Sequence, residues 1–371
     1  VYLNDLGYSG QNPWNDWANS AEGENGEVLE GWYMQHAHRP ARVAEEHSET
    51  AYTTNQALKF LKKHDQSPWC LHLSYIKPHW PYIAPIPYHQ LFRDLELPSA
   101  IRSQNELKNP HPIYEALTKI RVSRAFSKKE VRDRVLPTYL GLVKQLDDHL
   151  GSLFQFMREQ GSFDQTLIVF TSDHGDYLGD HWLGEKSWFH EPSVKIPLIV
   201  RDPSQSANFS RGSRSKELVE SIDLIPTFIE ALGGTFPDHI LEGKSLKPLL
   251  NCKSTESFRE YATSEYDYSI APISSLISAD PKKARVYMVT TQRWKYIHTV
   301  GYRSVLFDLQ EDPMELNDLG EDVGYFKIQR ELNDQLLEWS LRHSQRITMS
   351  NSELLSRRGR SEGLGIRIGY W

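Results

Sequence analysis

The chain has 371 residues with a formal net charge of −7, 39% hydrophobic and 25% charged residues, ten Trp and eighteen Tyr. That composition is ordinary for a globular protein with a sizeable core, and the length fits one large α/β domain plus a smaller one. The acidic balance without a basic stripe excludes a nucleic-acid partner, and no apolar run approaches the ~20 residues of a membrane span.

The first residues, "VYLNDLGYSGQNPW", carry neither an initiator Met nor the basic and apolar regions of a signal peptide, and read as an internal start. Two cysteines, Cys70 in the apolar "PWCLHLSYI" and Cys252 in "NCKST", give no supported disulfide. Cys70 reads as a small buried hydrophobe, and a reduced, cytoplasmic bacterial setting is expected. The sequon at Asn208 reads as chance.

Residues 1–47 are irregular. From Ser48 the pattern turns helical, with Ala51, Ala57, Leu58 and Leu61 on the apolar side and Lys59, Lys62 and Lys63 polar. "PWCLHLSYIK", 68–77, reads as a buried strand of a parallel sheet. "PHWPYIAPIPYH", 78–89, holds four prolines and must be a loop. A long helix is expected from Ser127, capped by that residue with Glu130 at N3, kinked or restarted at Pro137 and stopped at Gly161. Strands follow at 166–172 and 195–200, then a helix over 221–234 capped by Ser221 or Asp223.

This alternation predicts an α/β fold, a mostly parallel sheet sandwiched by helices, over residues 1–255. From 256 to 371 the texture changes to short alternating strands, "RVYMVTT", "WKYIHTV" and "SVLFDL", and a helix near 325–342, which predicts a small antiparallel sheet with one helix.

Ligands of open α/β sheets sit outside the carboxyl ends of the strands. There the chain places "KPHWPY" (77–82) and "TSDHGDYLGDHWLGEK" (171–186), two polar loops able to meet at one crevice. Asp173 and His174 are adjacent, and each is a competent metal ligand; the alternative is that Asp173 caps a helix and His174 bonds locally. An EF-hand is excluded, because Gly175, Tyr177 and Gly184 occupy positions where that loop needs ligands. Lys186 is either a solvated lysine or a point charge for an oxyanion. His79, between prolines, is either a packed loop histidine or a general acid or oxyanion donor.

Together, "KPHWPY" and "TSDHGDYLGDHWLGEK" resemble the sulfatase branch of the alkaline phosphatase superfamily, as do "SIDLIPTF" (221–228), "LEGKSLKPLL" (241–250) and "LFDLQEDPMELNDL" (306–319). "SYIKPHWPYIAPIPYH", "SEYDYS" and the tail "GIRIGYW" bring the resemblance closest to bacterial phosphonate monoester hydrolases, which are also promiscuous sulfatases. The resemblance implies hydrolysis of phosphonate monoesters, phosphate diesters and sulfate esters, small-molecule substrates, in two steps through a formylglycine-type nucleophile made from Cys or Ser. A strict arylsulfatase or sugar sulfatase, or a non-catalytic truncated homologue, is the alternative. It implies one divalent metal held in part by Asp173 and His174, with Mn or Zn favoured by the His ligand and Ca the other candidate. His79 and Lys186 would act on the transferred group and leaving oxygen, and Lys77 would either contact substrate or support from behind the residues that do.

One departure stands out. Neither Cys70, followed by "LHLS", nor Cys252, followed by "KSTE", fits the family's C/S-x-P-x-R nucleophile motif. The family's early acidic metal ligands are also absent, so the chain reads as an N-terminally incomplete member, inactive in isolation. The apolar tail "GLGIRIGYW" suits a subunit contact in a homo-oligomer, or folds back on its own domain.

Overall fold

The computed structural model describes residues 1–251, 257–342 and 349–357. Cys252, the division at 255/256 and the tail "GIRIGYW" lie outside the described residues. The chain forms two compact units that interleave along the sequence: Val1–Ser103 with Leu117–Thr166 and Gly175–Lys186, and Gln104–Ala116 with Leu167–His174 and everything from Ser187 onward. No helix among the described residues is long and apolar enough to cross a membrane.

In the first unit, helix α1 spans Glu49–Lys63. Ser48 caps it, its hydroxyl oxygen accepting from the Ala51 N–H at 3.2 Å, and Ala51, Ala57 and Leu61 turn inward at helical spacing. Short helix α2 (Arg121–Phe126) precedes the long helix α3 (Lys129–Glu159). The cap of α3 differs from the sequence expectation. Lys128 occupies it without a side-chain bond, because the Ser127 hydroxyl donates back to the Arg124 carbonyl at 2.9 Å and closes α2 instead. Pro137 lies buried within α3, which runs through it as one helical span; its missing N–H forfeits one backbone bond, and packing of the buried ring compensates. The end of α3 is as expected. Gly161 sits at φ 73°, its N–H bonds Arg158 O at 3.0 Å, and the Ser162 N–H bonds Met157 O at 2.9 Å. Met34, Ala37, Tyr82, Val122, Phe126 and Val135 form a core cluster of this unit.

Residues 68–76 form neither helix nor ladder, and their exposure alternates along the segment. The composition is that of a strand, but a strand exists only with a hydrogen-bonded neighbour, and none is present among the described residues. Cys70 is accordingly exposed rather than buried.

In the second unit, β3 (Ile168–Thr171) pairs antiparallel with β4 (Leu198–Arg201), Val169 opposite Val200; the shorter pair β1 (Ser20–Glu22) and β2 (Val28–Glu30) belongs to the first unit and is also antiparallel. The ladders among the described residues are thus antiparallel where the sequence predicts mostly parallel pairing, and parallel geometry occurs in one isolated bridge, Pro40 to Ala84. The reason is the connection: between β3 and β4 the longest helix is Glu191–Val194, too short to be the crossover that parallel neighbours need. Helix α4 (Leu224–Ala231) is entered through a turn at Ser221–Asp223, and its capping box is Glu220 with Asp223, not Ser221. Asp223 is fully buried and bidentate to Arg259 at 2.7 and 2.9 Å.

The C-terminal part is the predicted antiparallel sheet, with one strand more than the sequence patterning picks out: β5 (Ala262–Asp267), β6 (Arg285–Thr290), β7 (Trp294–Thr299) and β8 (Val305–Asp308), in that spatial order. Helix α5 (Phe326–Arg342) covers one face. Val289, Tyr296 and Leu306 stand opposite one another across three strands and pack with Leu332 and Leu336 of α5. Each such buried side chain contributes up to ~1.5–3 kcal/mol. On the other face Lys295, wholly buried, is neutralised by Glu191 at 2.8 Å and Glu315 at 2.6 Å.

Candidate functional site

The loop 77–82 carries two of the polar groups that the sequence singles out, Lys77 and His79. Cis peptide bonds precede Pro78 and Pro81. His79 Nδ1 lies 2.7 Å from the Trp80 carbonyl oxygen. A carbonyl can only accept, so Nδ1 is the protonated nitrogen when the ring is neutral and Nε2 carries the lone pair. Lys186 Nζ stands 3.3 Å from that Nε2 and is placed to donate to it. Two groups separated by 107 positions in sequence therefore meet.

Lys77 points elsewhere. Its Nζ donates to the Pro81 carbonyl oxygen at 2.5 Å and to Asn19 Oδ1 at 3.3 Å, which ties the loop to itself and to residue 19. Burial pushes its pKa down to about 8, an effect the Glu49 carboxylate partly opposes.

Lys186 ends a loop of strained backbone. Leu178, His181, Trp182 and Glu185 all have positive φ, at 45°, 50°, 60° and 59°, each costing about 1–3 kcal/mol. The surrounding chain over-determines them. His181 N–H donates to Ile101 O at 2.7 Å, Ile101 N–H to Asp180 Oδ1 at 2.9 Å, and Trp182 Nε1 to Ser103 O at 2.9 Å. The Arg132 guanidinium bonds the Leu178 and Pro98 carbonyls. Gly184 admits no side chain, because a Cβ there would lie 2.5 Å from the Phe126 ring. The strained loop ends at Lys186.

Sequence reasoning did not assign Asp176 and Tyr82. The Asp176 Oδ2 accepts from the Tyr82 hydroxyl at 2.6 Å, and Oδ1 accepts from the N–H groups of Leu178 and Glu185, both at 3.1 Å. Both residues lie inside the two quoted motifs, but nothing in a sequence names a carboxylate's partner.

In the second unit, Asp173 and His174 follow the end of β3. The Asp173 side chain is 89% exposed; its Oδ1 accepts the His174 N–H at 3.1 Å, and its Oδ2 lies 3.7 Å from His174 Nε2. Donors about 2.1 Å from one tetrahedral ion stand about 3.4 Å apart, so the two side chains fit as neighbouring ligands of one ion. Among the described residues no group of three or more His, Cys, Asp or Glu side chains could hold a metal.

A family model described as sulfatase matches residues 3–234, and one for the N-sulphoglucosamine sulphohydrolase C-terminal region matches 179–342. The chain belongs to the sulfatase family. A multifunctional alkaline phosphatase superfamily protein, PehA of Trinickia caryophylli, is 34% identical over 325 residues, covering 83% of this chain and 62% of its own length. The chain thus spans less than two thirds of that relative. The phosphonate monoester hydrolase of Silicibacter pomeroyi superposes with a TM-score of 0.81 at 26% identity, over 92% of this chain and 68% of that one. The phosphonate monoester hydrolase of Agrobacterium radiobacter gives 0.78 at 25% identity, over 93% and 69%. The α/β class expected from the sequence is therefore the family's fold.

Proposed function

We propose that this sulfatase-family chain belongs to a metal-dependent hydrolase of sulfate esters and of phosphonate monoesters or phosphate diesters. The observation that carries this reading is the 3.3 Å contact between Lys186 Nζ and His79 Nε2, at the end of a loop whose backbone is strained to present it. An ammonium beside an imidazole that becomes a second donor once Nε2 is protonated suits the oxygens of a tetrahedral anion, whose charge grows as the ester bond breaks. Lys186 would hold a non-bridging oxygen throughout. His79, once it takes a proton at Nε2, would deliver it to the leaving oxygen.

Asp173 and His174 fit two ligand positions of a divalent ion. A carboxylate with an imidazole favours Mn or Zn over Ca. When bound, the ion would supply Lewis acidity toward the ester and lower the pKa of an attacking oxygen. A nucleophile of the formylglycine type is part of the proposal, although no C/S-x-P-x-R segment occurs in the 371 residues.

The second reading is a sulfatase restricted to sugar or aryl sulfates, supported by the match of residues 179–342 to the sulphohydrolase C-terminal model. Parallel rates on a phenylphosphonate monoester and an aryl sulfate, measured with protein expressed from the complete gene that encodes this chain, separate the two. Hydrolysis of both supports the broad activity; hydrolysis of the sulfate alone supports the restricted one; hydrolysis of neither overturns both.

A further inference from the structure

The segments that carry His79 and Lys186 are joined by one hydrogen bond that their chemistry does not require. Tyr82 closes the 77–82 loop and Asp176 opens the loop that ends at Lys186, and the Tyr82 hydroxyl donates to Asp176 Oδ2 at 2.6 Å. Tyr82 is 1% exposed. Its ring is held edge-on by Phe126 at 5.9 Å and Tyr139 at 6.2 Å, so the core and not solvent sets the position of the hydroxyl. The same carboxylate reaches the other way. Its Oδ1 takes the N–H groups of Leu178 and Glu185, two of the positive-φ residues, and Glu185 is bonded directly to Lys186.

One carboxylate thus fixes three things: the strained start of the loop, its strained end, and the neighbouring histidine loop. Such a fixture is needed. Lys186 and His79 do not hold one another strongly, since an ammonium donating to a neutral imidazole loses its attraction once the imidazole is charged, and the pair then repels. Confining a long lysine side chain also costs up to ~2 kcal/mol of rotamer entropy.

The geometry points to Asp176 and Tyr82 as positioning residues that set the spacing of Lys186 and His79, a role that rests on the reading of that pair as the oxyanion site. Burial, and secondarily the Asp176 charge, push the Tyr82 hydroxyl pKa up. It therefore remains a donor at any working pH.

The test uses the whole 371-residue chain with inorganic sulfate as probe at fixed ionic strength, read by calorimetry, together with the imidazole ¹⁵N signals of His79. Tyr82→Phe removes one oxygen and leaves the packed ring; Asp176→Asn keeps the shape of the carboxylate. Leu153→Val, in the core face of α3, controls for lost stability. Both positioning variants should weaken sulfate binding about tenfold and shift the His79 signals, while Leu153→Val, at a comparable loss of Tm, does neither. Sulfate affinity within twofold of wild type and unmoved His79 signals in both variants would overturn the positioning role. Sulfate binding that survives Lys186→Met would overturn the oxyanion reading instead, and the role resting on it.

Discussion

Lys77 is the candidate residue with the clearest titration signature. Its ammonium is spent on Pro81 O and Asn19 Oδ1 inside the fold, and burial brings its pKa to about 8. Unfolded, a lysine releases its proton near 10.4. Between about pH 8 and 10.4 the unfolded chain therefore binds more protons, and this residue's contribution to stability must rise with pH across that window. Thermal melts from pH 7 to 10.5 on wild type and Lys77→Met should show a Tm difference that moves in favour of wild type through that window; a difference flat with pH contradicts the buried ammonium. The residue also shows what one sequence makes legible. Its charge and its place beside His79 are plain, and the reading of substrate contact follows from them. Its acceptor Asn19 is 58 positions away, and only the fold reveals where the ammonium donates. The meeting of His79 with Lys186 could be expected because both lie in loops with a recognisable family pattern. The bond of Asp176 to Tyr82 could not, because the two stand 94 positions apart and nothing in either motif pairs them.

At the level of elements, helices and hairpin strands whose information is local were legible. Helix α1 starts at its serine cap, α3 stops at Gly161, and β6, β7, β8 and α5 lie where alternation and helical spacing put them. Features that depend on a distant neighbour were not. Segment 68–76 has strand composition without a ladder, and β4 returns antiparallel beside β3. Ser127 was misassigned because two adjacent turns compete for one hydroxyl. The packing of α5 on the C-terminal sheet gives a quantitative expectation. Leu336 is 6% exposed and fills the same cluster as Val289, Tyr296 and Leu306. Leu336→Ala should lower unfolding free energy by about 2–5 kcal/mol, read by denaturant unfolding; a loss below about 0.5 kcal/mol would show that α5 does not carry the sheet.

On the scale of the whole molecule, the account rests on two pairs of side chains, one in each compact unit, and on membership of the sulfatase family. As proposed, Asp173 and His174 would give an ion two protein ligands, and among the described residues no group of three or more His, Cys, Asp or Glu could hold a metal. Titration of dialysed 371-residue chain with Mn or Zn should accordingly show weak binding, abolished in Asp173→Ala and in His174→Ala; tight stoichiometric metal, or binding indifferent to both substitutions, contradicts the assignment. The claim that binds the rest together is that Lys186 stabilises the charge of the transferred group. The most direct measurement is kcat/KM toward an aryl sulfate and a phenylphosphonate monoester, with protein from the complete gene, for wild type and Lys186→Met. The account expects the substitution to cost about 10²–10³-fold on each ester that wild type hydrolyses; activity within twofold of wild type, or a wild-type protein that hydrolyses neither ester, would contradict it.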